Sequence, residues 1–409
     1  MLNDSVLTGE GYDVLHGIDQ AVLWGNAAAN DIDASAFMAG SVTLIGQSGD
    51  DTLHGSPGDD SLNGGPGIDW LEQVTDSDQT LANGTISGHG TDVFVAFERI
   101  RLGGGPGNNR LDATDFSTGL VTLEGFAGDD TLVGGQFDDH LDGGAGTDLV
   151  EQTANVDQEL SPGQLIGRGT DVLVSIELAT LTGGEAANLL TSLAFTTGRV
   201  TLNGAGGDDT LIAGPGDDVI NGGSGIDLVR QTTDSDQLLT NSLLTGLGSD
   251  TLSAIERAEL SGGLFSNRID ATAFTSGQVT LNGSAGNDTL LGSAGDDVID
   301  GGTGFDQIEQ TVDGDQVLTS SSLTGRGNDI LSNIEWAVLT GGVSDNTLDA
   351  LGFDAGSVTL AGGDGNDTLH GSPGNDRIEG GDGTDLVVSS GDVDQVLSAP
   401  TLAGAGHAV

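Results

Sequence analysis

The chain contains no cysteine and no lysine, and each absence excludes a class of explanation. Without cysteine, no disulfide staples the fold and no thiolate holds a metal. The basic residues are ten arginines set against 63 acidic residues, which leaves a formal charge of −53 over 409 residues. Nucleic acid and anionic membrane surfaces are repelled by such a chain, so neither is expected as a partner. Aromatic residues amount to 4% and hydrophobic residues to 35%, too few for one large compact core. Nowhere is there an apolar run of the roughly 18 residues that a membrane-spanning helix requires, so no membrane insertion is expected. The opening segment MLNDSVLTGEGYDV carries neither the basic region nor the apolar stretch of a cleavable export signal. Export then needs another route or a longer parent chain.

What the sequence does have is glycine, 71 residues of it, and a strict internal period. VTLIGQSGDDTL at Val42 recurs as VTLEGFAGDDTL at Val121, VTLNGAGGDDTL at Val200, VTLNGSAGNDTL at Val279 and VTLAGGDGNDTL at Val358, every step being 79 residues. A stack in which each coil contacts only its neighbours forbids drift in length, whereas domains on flexible linkers permit it. Residues 1–409 are therefore read as a single continuous solenoid. Its units are 42–120, 121–199, 200–278, 279–357 and a partial 358–409, with 1–41 the partial preceding unit.

Each unit opens with three tandem nonapeptides of the form G-G-x-G-x-D-x-U-x, where U is a large aliphatic residue. In the first unit these are GQSGDDTLH, GSPGDDSLN and GGPGIDWLE, starting at Gly46, Gly55 and Gly64. The sixth positions over the chain are Asp51, Asp60, Asp69, Asp130, Asp139, Asp148, Asp209, Asp218, Asp227, Asp288, Asp297, Asp306, Asp367, Asp376 and Asp385. Phe137 replaces the fourth-position glycine of one copy and Ala213 the first glycine of another, which makes those two turns the weakest metal candidates. Calcium takes six to eight hard oxygen ligands. A glycine-rich turn can bend its carbonyls inward because glycine tolerates positive φ, and the aspartate adds a carboxylate. The aliphatic eighth positions, Leu53, Leu62 and Leu71 in the first unit, would form a narrow apolar core.

These fifteen in-register nonapeptides resemble those of the RTX, or haemolysin-type, calcium-binding repeat family, and they cover about a third of the chain. The resemblance implies an all-β chain folded as a parallel β-roll, a β-solenoid in which each glycine-rich turn is followed by a short strand. Ca²⁺ would then sit between turns stacked on one side. Members of that family include toxins, proteases, lipases, adhesins and surface-layer proteins, and the repeat does not choose among them.

The spacer between nonapeptide triplets reads as further roll. SGHGTDVFV with Asp92 recurs as IGRGTDVLV with Asp171, TGLGSDTLS with Asp250 and TGRGNDILS with Asp329, and TGEGYDVLH with Asp13 is the N-terminal copy. These resemble nonapeptides lacking the first glycine, which adds Asp13, Asp92, Asp171, Asp250 and Asp329 to the candidate ligands. GGPGNNRLD puts Asn109 in the aspartate position, with Asn30, Asn188, Asn267 and Asn346 at the same phase. For these, metal ligation and a purely structural turn role stand equal. Taking Leu53, Leu62, Leu71, Leu81, Phe94, Leu102, Leu111 and Val121 to Leu123 as strand centres predicts eight strands per period, about four coils. With strands about 4.8 Å apart, the units would make a rod on the order of 100 Å long. On this count Asp51, Asp69, Asp92 and Asn109 share one edge. Asp60, the DSDQ turn with Asp76 and Asp78, Glu98 and Asp115 share the other.

Other recurring residues read more simply. Phe37, Phe116, Phe195, Phe274 and Phe353 recur at the period and are expected to fill the core. Trp24, Trp70 and Trp336 sit at different phases, as local packing residues do, and the six histidines are scattered, which argues against a zinc site. Catalysis needs a constellation present once, whereas every candidate nucleophile or base here has counterparts one period away, so no enzyme is expected. The sequence thus predicts an extracellular or cell-surface structural or adhesive protein whose folding is driven by roughly twenty Ca²⁺ at two-turn sites. By resemblance, type I secretion would be its export route. The competing expectation is the secretion and folding domain of an RTX toxin or exoenzyme whose catalytic part is absent. The last 14 residues align in phase with the first 14, with Ala408 where Asp13 predicts an aspartate. Neither end resembles a polar cap, so self-association or a longer parent array is expected.

Overall fold

The short inward-facing aliphatic triplets all become strands, and the glycine-rich segments between them become turns. A computed structural model describes residues 1–9 and 11–388, and these contain 45 strands and no helix. The C-terminal segment with His407 and Ala408 lies outside the described residues. The chain divides into two compact units, residues 1–263 with 269–280, and 264–268 with 281 onward.

In the first unit, successive passages of the chain alternate between two sheets. Ser41–Ile45 pairs in parallel with Ser61–Asn63 in one sheet. Thr52–His54 pairs in parallel with Trp70–Val74 in the other. The single inward side chain of each short strand is fully or nearly withdrawn from solvent, with Leu53, Leu62, Leu71, Leu81, Leu102, Leu111, Val121, Leu123 and Leu132 all buried. Phe37, Phe116, Phe195, Phe274 and Phe353 are the largest of the fully buried side chains, so the periodic phenylalanine fills the core as expected. Burying a phenylalanine side chain is worth roughly 1.5–3 kcal/mol.

The spacer belongs to the same sheets, but its local form differs from a run of nonapeptides. Gln79–Ala82, Thr85–Ser87 and Thr91–Val95 form an antiparallel meander. Its last strand pairs in parallel with Ser61–Asn63 and its first with Arg110–Asp115. Glycines 88 and 90 therefore turn a hairpin instead of crossing the roll. The expected Asp92 turn is absent, and Asp92 sits within a strand. Meanwhile Arg99–Gly103 joins the other sheet, between Trp70–Val74 and Leu120–Glu124.

Nine strands fill each period, and three of them share one passage, so the chain crosses between sheets seven times. The unit is nearer three and a half coils than four. An odd number of crossings has a consequence the sequence count missed, because every equivalent element changes sheet from one period to the next. Thr43 of the first copy of VTL pairs with Ser61, and Thr122 of the second pairs with His140 in the opposite sheet. The meander follows, with Gln158–Ser161, Gln164–Gly167 and Gly169–Val174 inserted in the opposite sheet from Gln79–Val95.

The second unit repeats the local pattern. Thr289–Leu291, Gln307–Thr311 and Trp336–Thr340 pair in parallel. Gln316–Thr319, Ser322–Thr324 and Asn328–Ser332 form its meander, whose last strand pairs with Val298–Asp300.

Two turn positions show how strongly the roll dictates the backbone. Gly65 and its counterparts occupy the left-handed region that only glycine adopts without cost. In the first nonapeptide of the first four triplets the same position is Gln47, Phe126, Ala205 or Ser284, yet φ stays between 71° and 78°. Stacking on the neighbouring turns thus overrides a local preference of about 1–2 kcal/mol per residue.

Candidate metal centre

Turns that stack on one edge are linked by carboxylates. The backbone amide of Asn30 donates to Asp51 Oδ1 at 2.7 Å, that of Asp51 to Asp69 Oδ1 at 2.7 Å, and that of Asp69 to Glu98 Oε2 at 3.0 Å. The same four-member ladder runs Asn109, Asp130, Asp148, Glu177 and again Asn188, Asp209, Asp227, Glu256. In the second unit it runs Asn267, Asp288, Asp306, Glu335, and then Asn346, Asp367, Asp385. Because of the odd crossing number, the Asp51 and Asp130 ladders of the first unit lie on opposite edges. Each edge is therefore loaded in blocks, which corrects the expectation that Asp51, Asp69, Asp92 and Asn109 share one edge. Asp51 and Asp69 share their edge with Glu98, while Asn109 lies on the other.

In eight ladder aspartates one carboxylate oxygen forms the inter-turn bond and the second is left over. Oδ2 of Asp51, Asp69, Asp130, Asp148, Asp209, Asp227, Asp306 and Asp367 is buried with no hydrogen-bond partner. An unsatisfied buried carboxylate oxygen is costly and calls for a partner. The surroundings are oxygen-rich. A side chain at Gly46 would meet Asp51 Oδ2 and the Gly64 carbonyl at less than 3.0 Å, and one at Gly125 would meet Asp130 Oδ2 and the Gly143 carbonyl. Glycine at the first position keeps this oxygen-lined space open. Among the described residues no three acidic or imidazole side chains converge, so backbone carbonyls must supply much of any ligand shell. Hard oxygen donors, part carboxylate and part carbonyl, fit calcium.

The charge distribution points the same way. Burial raises the carboxyls of Asp69, Asp130, Asp148, Asp209 and Asp227 above the usual carboxylate range, and neighbouring carboxylates add to the shift. For Asp306 burial, with Asp288 and Glu335 close by, pushes the value up to about 6. Arginines pair instead along the sheets, Arg101 with Glu72 and Glu124, Arg110 with Asp112 and Glu151.

The middle nonapeptide is different. Asp60 Oδ1 accepts from the Val42 amide and Oδ2 from the Ser56 amide of its own turn. Asp139 likewise accepts from Val121 and Gly135, and Asp297 Oδ2 from the Ser293 amide. Asp376 accepts from the Val358 amide and the Ser372 hydroxyl. These carboxylates cap their own turns. Asp218 departs from this pattern, since its Oδ2 is buried without a partner. The two turns with replaced glycines thus part ways: the Phe137 turn has its Asp139 carboxylate engaged, whereas the Ala213 turn retains an unsatisfied oxygen.

The spacer aspartates attach to that middle turn. Asp92 Oδ1 accepts from the Asp60 amide, Asp171 from Asp139, Asp250 from Asp218 and Asp329 from Asp297. Burial pushes all four up to about 7. Asp13 lies exposed in a three-stranded antiparallel sheet. Asn109 Oδ1 accepts from the Gly105 amide, and Asn30, Asn188 and Asn346 cap their own turns in the same way. The structural role of these asparagines is thereby on view. Glu98 and its counterparts went unrecognised in the sequence as ladder members, although their recurrence at the 79-residue period was a usable signal.

The family model for the RTX calcium-binding nonapeptide repeat (4 copies) matches residues 43–71, 124–151, 201–229, 280–308 and 359–396. No curated protein matches the chain. Each matched segment spans the first to the third turn of a triplet, where the unsatisfied carboxylates stand. By these matches the chain carries RTX calcium-binding repeats, folded as a parallel β-roll.

Proposed function

We propose that Ca²⁺ bound between stacked turns drives this chain to fold, and that the folded chain serves outside the cell as a non-catalytic structural or adhesive element. The observation that carries this reading is the row of buried, partnerless Oδ2 atoms facing backbone carbonyls. In the absence of a cation, each ladder stacks buried negative charge on buried negative charge. With a formal charge of −53, the metal-free chain also repels itself throughout. A divalent ion removes both penalties, and because the ligands come from turns far apart in sequence, no site exists before the chain folds. Metal affinity is then folding free energy.

The unsatisfied oxygens favour fewer ions than roughly twenty, because the middle turns of most triplets satisfy their own aspartates. Low cytosolic calcium would leave the chain open, and the calcium outside would close it, which suits export by type I secretion. No helix among the described residues is long and apolar enough to cross a membrane. Self-association or incorporation in a longer array would extend the same stacking of coil on coil. Far-UV circular dichroism in millimolar calcium and in EGTA tests the switch. Strand signal in calcium and its loss in EGTA are expected, and equal spectra would reject it.

A further inference from the structure

We propose that the short turns ending in Glu98, Glu177, Glu256 and Glu335 each close an additional calcium site, in which the glutamate carboxylate and a left-handed residue's carbonyl replace a glycine-rich turn. This rests on the calcium reading above and extends it to a segment outside the nonapeptide motif. The four turns are Ala96-Phe97-Glu98, Ser175-Ile176-Glu177, Ala254-Ile255-Glu256 and Asn333-Ile334-Glu335, one per period.

Three observations converge on them. First, the aspartate beneath each turn has an oxygen in want of a partner. Asp69, Asp148, Asp227 and Asp306 are all 0% exposed, and Oδ2 of each has no hydrogen bond. Second, a carbonyl is aimed at the same spot. A side chain at Gly64 would meet both Asp69 Oδ2 and the Ala96 carbonyl at less than 3.0 Å. Gly143 meets Asp148 and Ser175 in this way, Gly222 meets Asp227 and Ala254, and Gly301 meets Asp306 and Asn333. Ala96 thus presents to Asp69 the carbonyl that Gly64 presents to Asp51. Third, that carbonyl is turned inward by strained backbone. Ala96, Ser175, Ala254 and Asn333 hold φ of 59°, 52°, 50° and 52°, a region disfavoured for residues with a side chain. Recurrence of the same strain in four copies, with four different surroundings in sequence, ties it to the position.

The glutamate completes the parallel. Its Oε2 accepts the amide of the aspartate below, at 3.0 Å for Asp69 and Asp148, 3.1 Å for Asp227 and 2.9 Å for Asp306. Oδ1 of Asp69 does the same for Asp51. The glutamate thus stands where the next aspartate stands in an ordinary ladder step, its longer side chain compensating for a turn shorter than a nonapeptide. The ladders from Asn30, Asn109 and Asn188 thus begin at a neutral asparagine that caps its own turn and end at a charged glutamate.

The test is calcium stoichiometry by equilibrium dialysis with ⁴⁵Ca on the full chain, comparing wild type with Glu177→Gln and with the quadruple variant Glu98→Gln, Glu177→Gln, Glu256→Gln, Glu335→Gln. Glutamine keeps the bond to the aspartate amide and removes the charge. We expect a loss of one bound ion in the single variant and four in the quadruple, with the circular dichroism of the single variant in saturating calcium unchanged. If the quadruple variant fails to fold, the single variant decides. Full stoichiometry in Glu177→Gln, at wild-type affinity, overturns this inference. A wild-type chain that binds no calcium overturns instead the reading on which it rests.

Discussion

Replacing Gly125 with alanine should abolish one calcium site without touching a ligand. The added Cβ would lie less than 3.0 Å from Asp130 Oδ2 and from the Gly143 carbonyl, whereas ordinary contact begins at 3.4 Å. Both oxygens must retreat by roughly half an ångström or more, an overpacking that costs about 1–3 kcal/mol. Calcium–oxygen distances span only about 2.3–2.6 Å, so a displacement of that size takes the oxygens out of coordination. A weakening of about 1.4 kcal/mol is already tenfold in affinity. Gly163→Ala is the control, because no atom lies within 4 Å of the position its Cβ would take. Competition with a chromophoric calcium chelator reads the effect directly. We expect Gly125→Ala to lose one site or weaken it at least tenfold and Gly163→Ala to match wild type. Equal titration curves for all three proteins would refute the claim that the first-position glycine holds open a metal-binding space.

Two further outcomes separate the turn classes. Asp148→Asn should lower the bound calcium, since its partnerless Oδ2 becomes an amide nitrogen. Asp139→Asn should leave stoichiometry unchanged and destabilise the calcium-loaded protein by about 1–3 kcal/mol, because an amide then faces the Gly135 N–H, as measured by thermal melting. Acidity should act oppositely on the calcium-free chain. Burial pushes Asp92, Asp171, Asp250 and Asp329 to about 7 in the folded state, from an ordinary 3.8. The folded state therefore holds protons that the unfolded one releases, and this stabilisation is fully present below about pH 4 and lost as pH rises through 7. In EGTA, strand content by circular dichroism should rise on acidification from pH 7.5 to 4.5, and a flat profile would contradict the assignment.

The repeating turns were legible because glycine and aspartate spacing is dictated by backbone geometry and ligation together. Leu53, Leu62 and Leu71 could be placed inside from spacing alone. The meander was not read, because SGHGTDVFV imitates a nonapeptide while its glycines turn a hairpin. A signal was nevertheless present in the first unit, where Asn83-Gly84 links Ala82 to Thr85 in antiparallel register. Asn-Gly is the strongest short hairpin signature. Other copies, such as Pro162-Gly163 between Ser161 and Gln164, blur it. Missing the strand Thr85–Ser87 turned seven crossings into eight, and with an even count the alternation of edges disappears. Glu98 was overlooked for a related reason: its turn has no glycine, and the left-handed Ala96 that does glycine's work is invisible in a composition-based reading.

Anomalous scattering from crystals of the calcium-loaded chain, or of a terbium-substituted one, tests the central claim most directly. The account predicts metal peaks beside Gly46 and Gly125, where Asp51 and Asp130 turn their unpaired oxygens toward the carbonyls of Gly64 and Gly143. Peaks confined to the Asp60 and Asp139 turns, with those positions vacant, would contradict it.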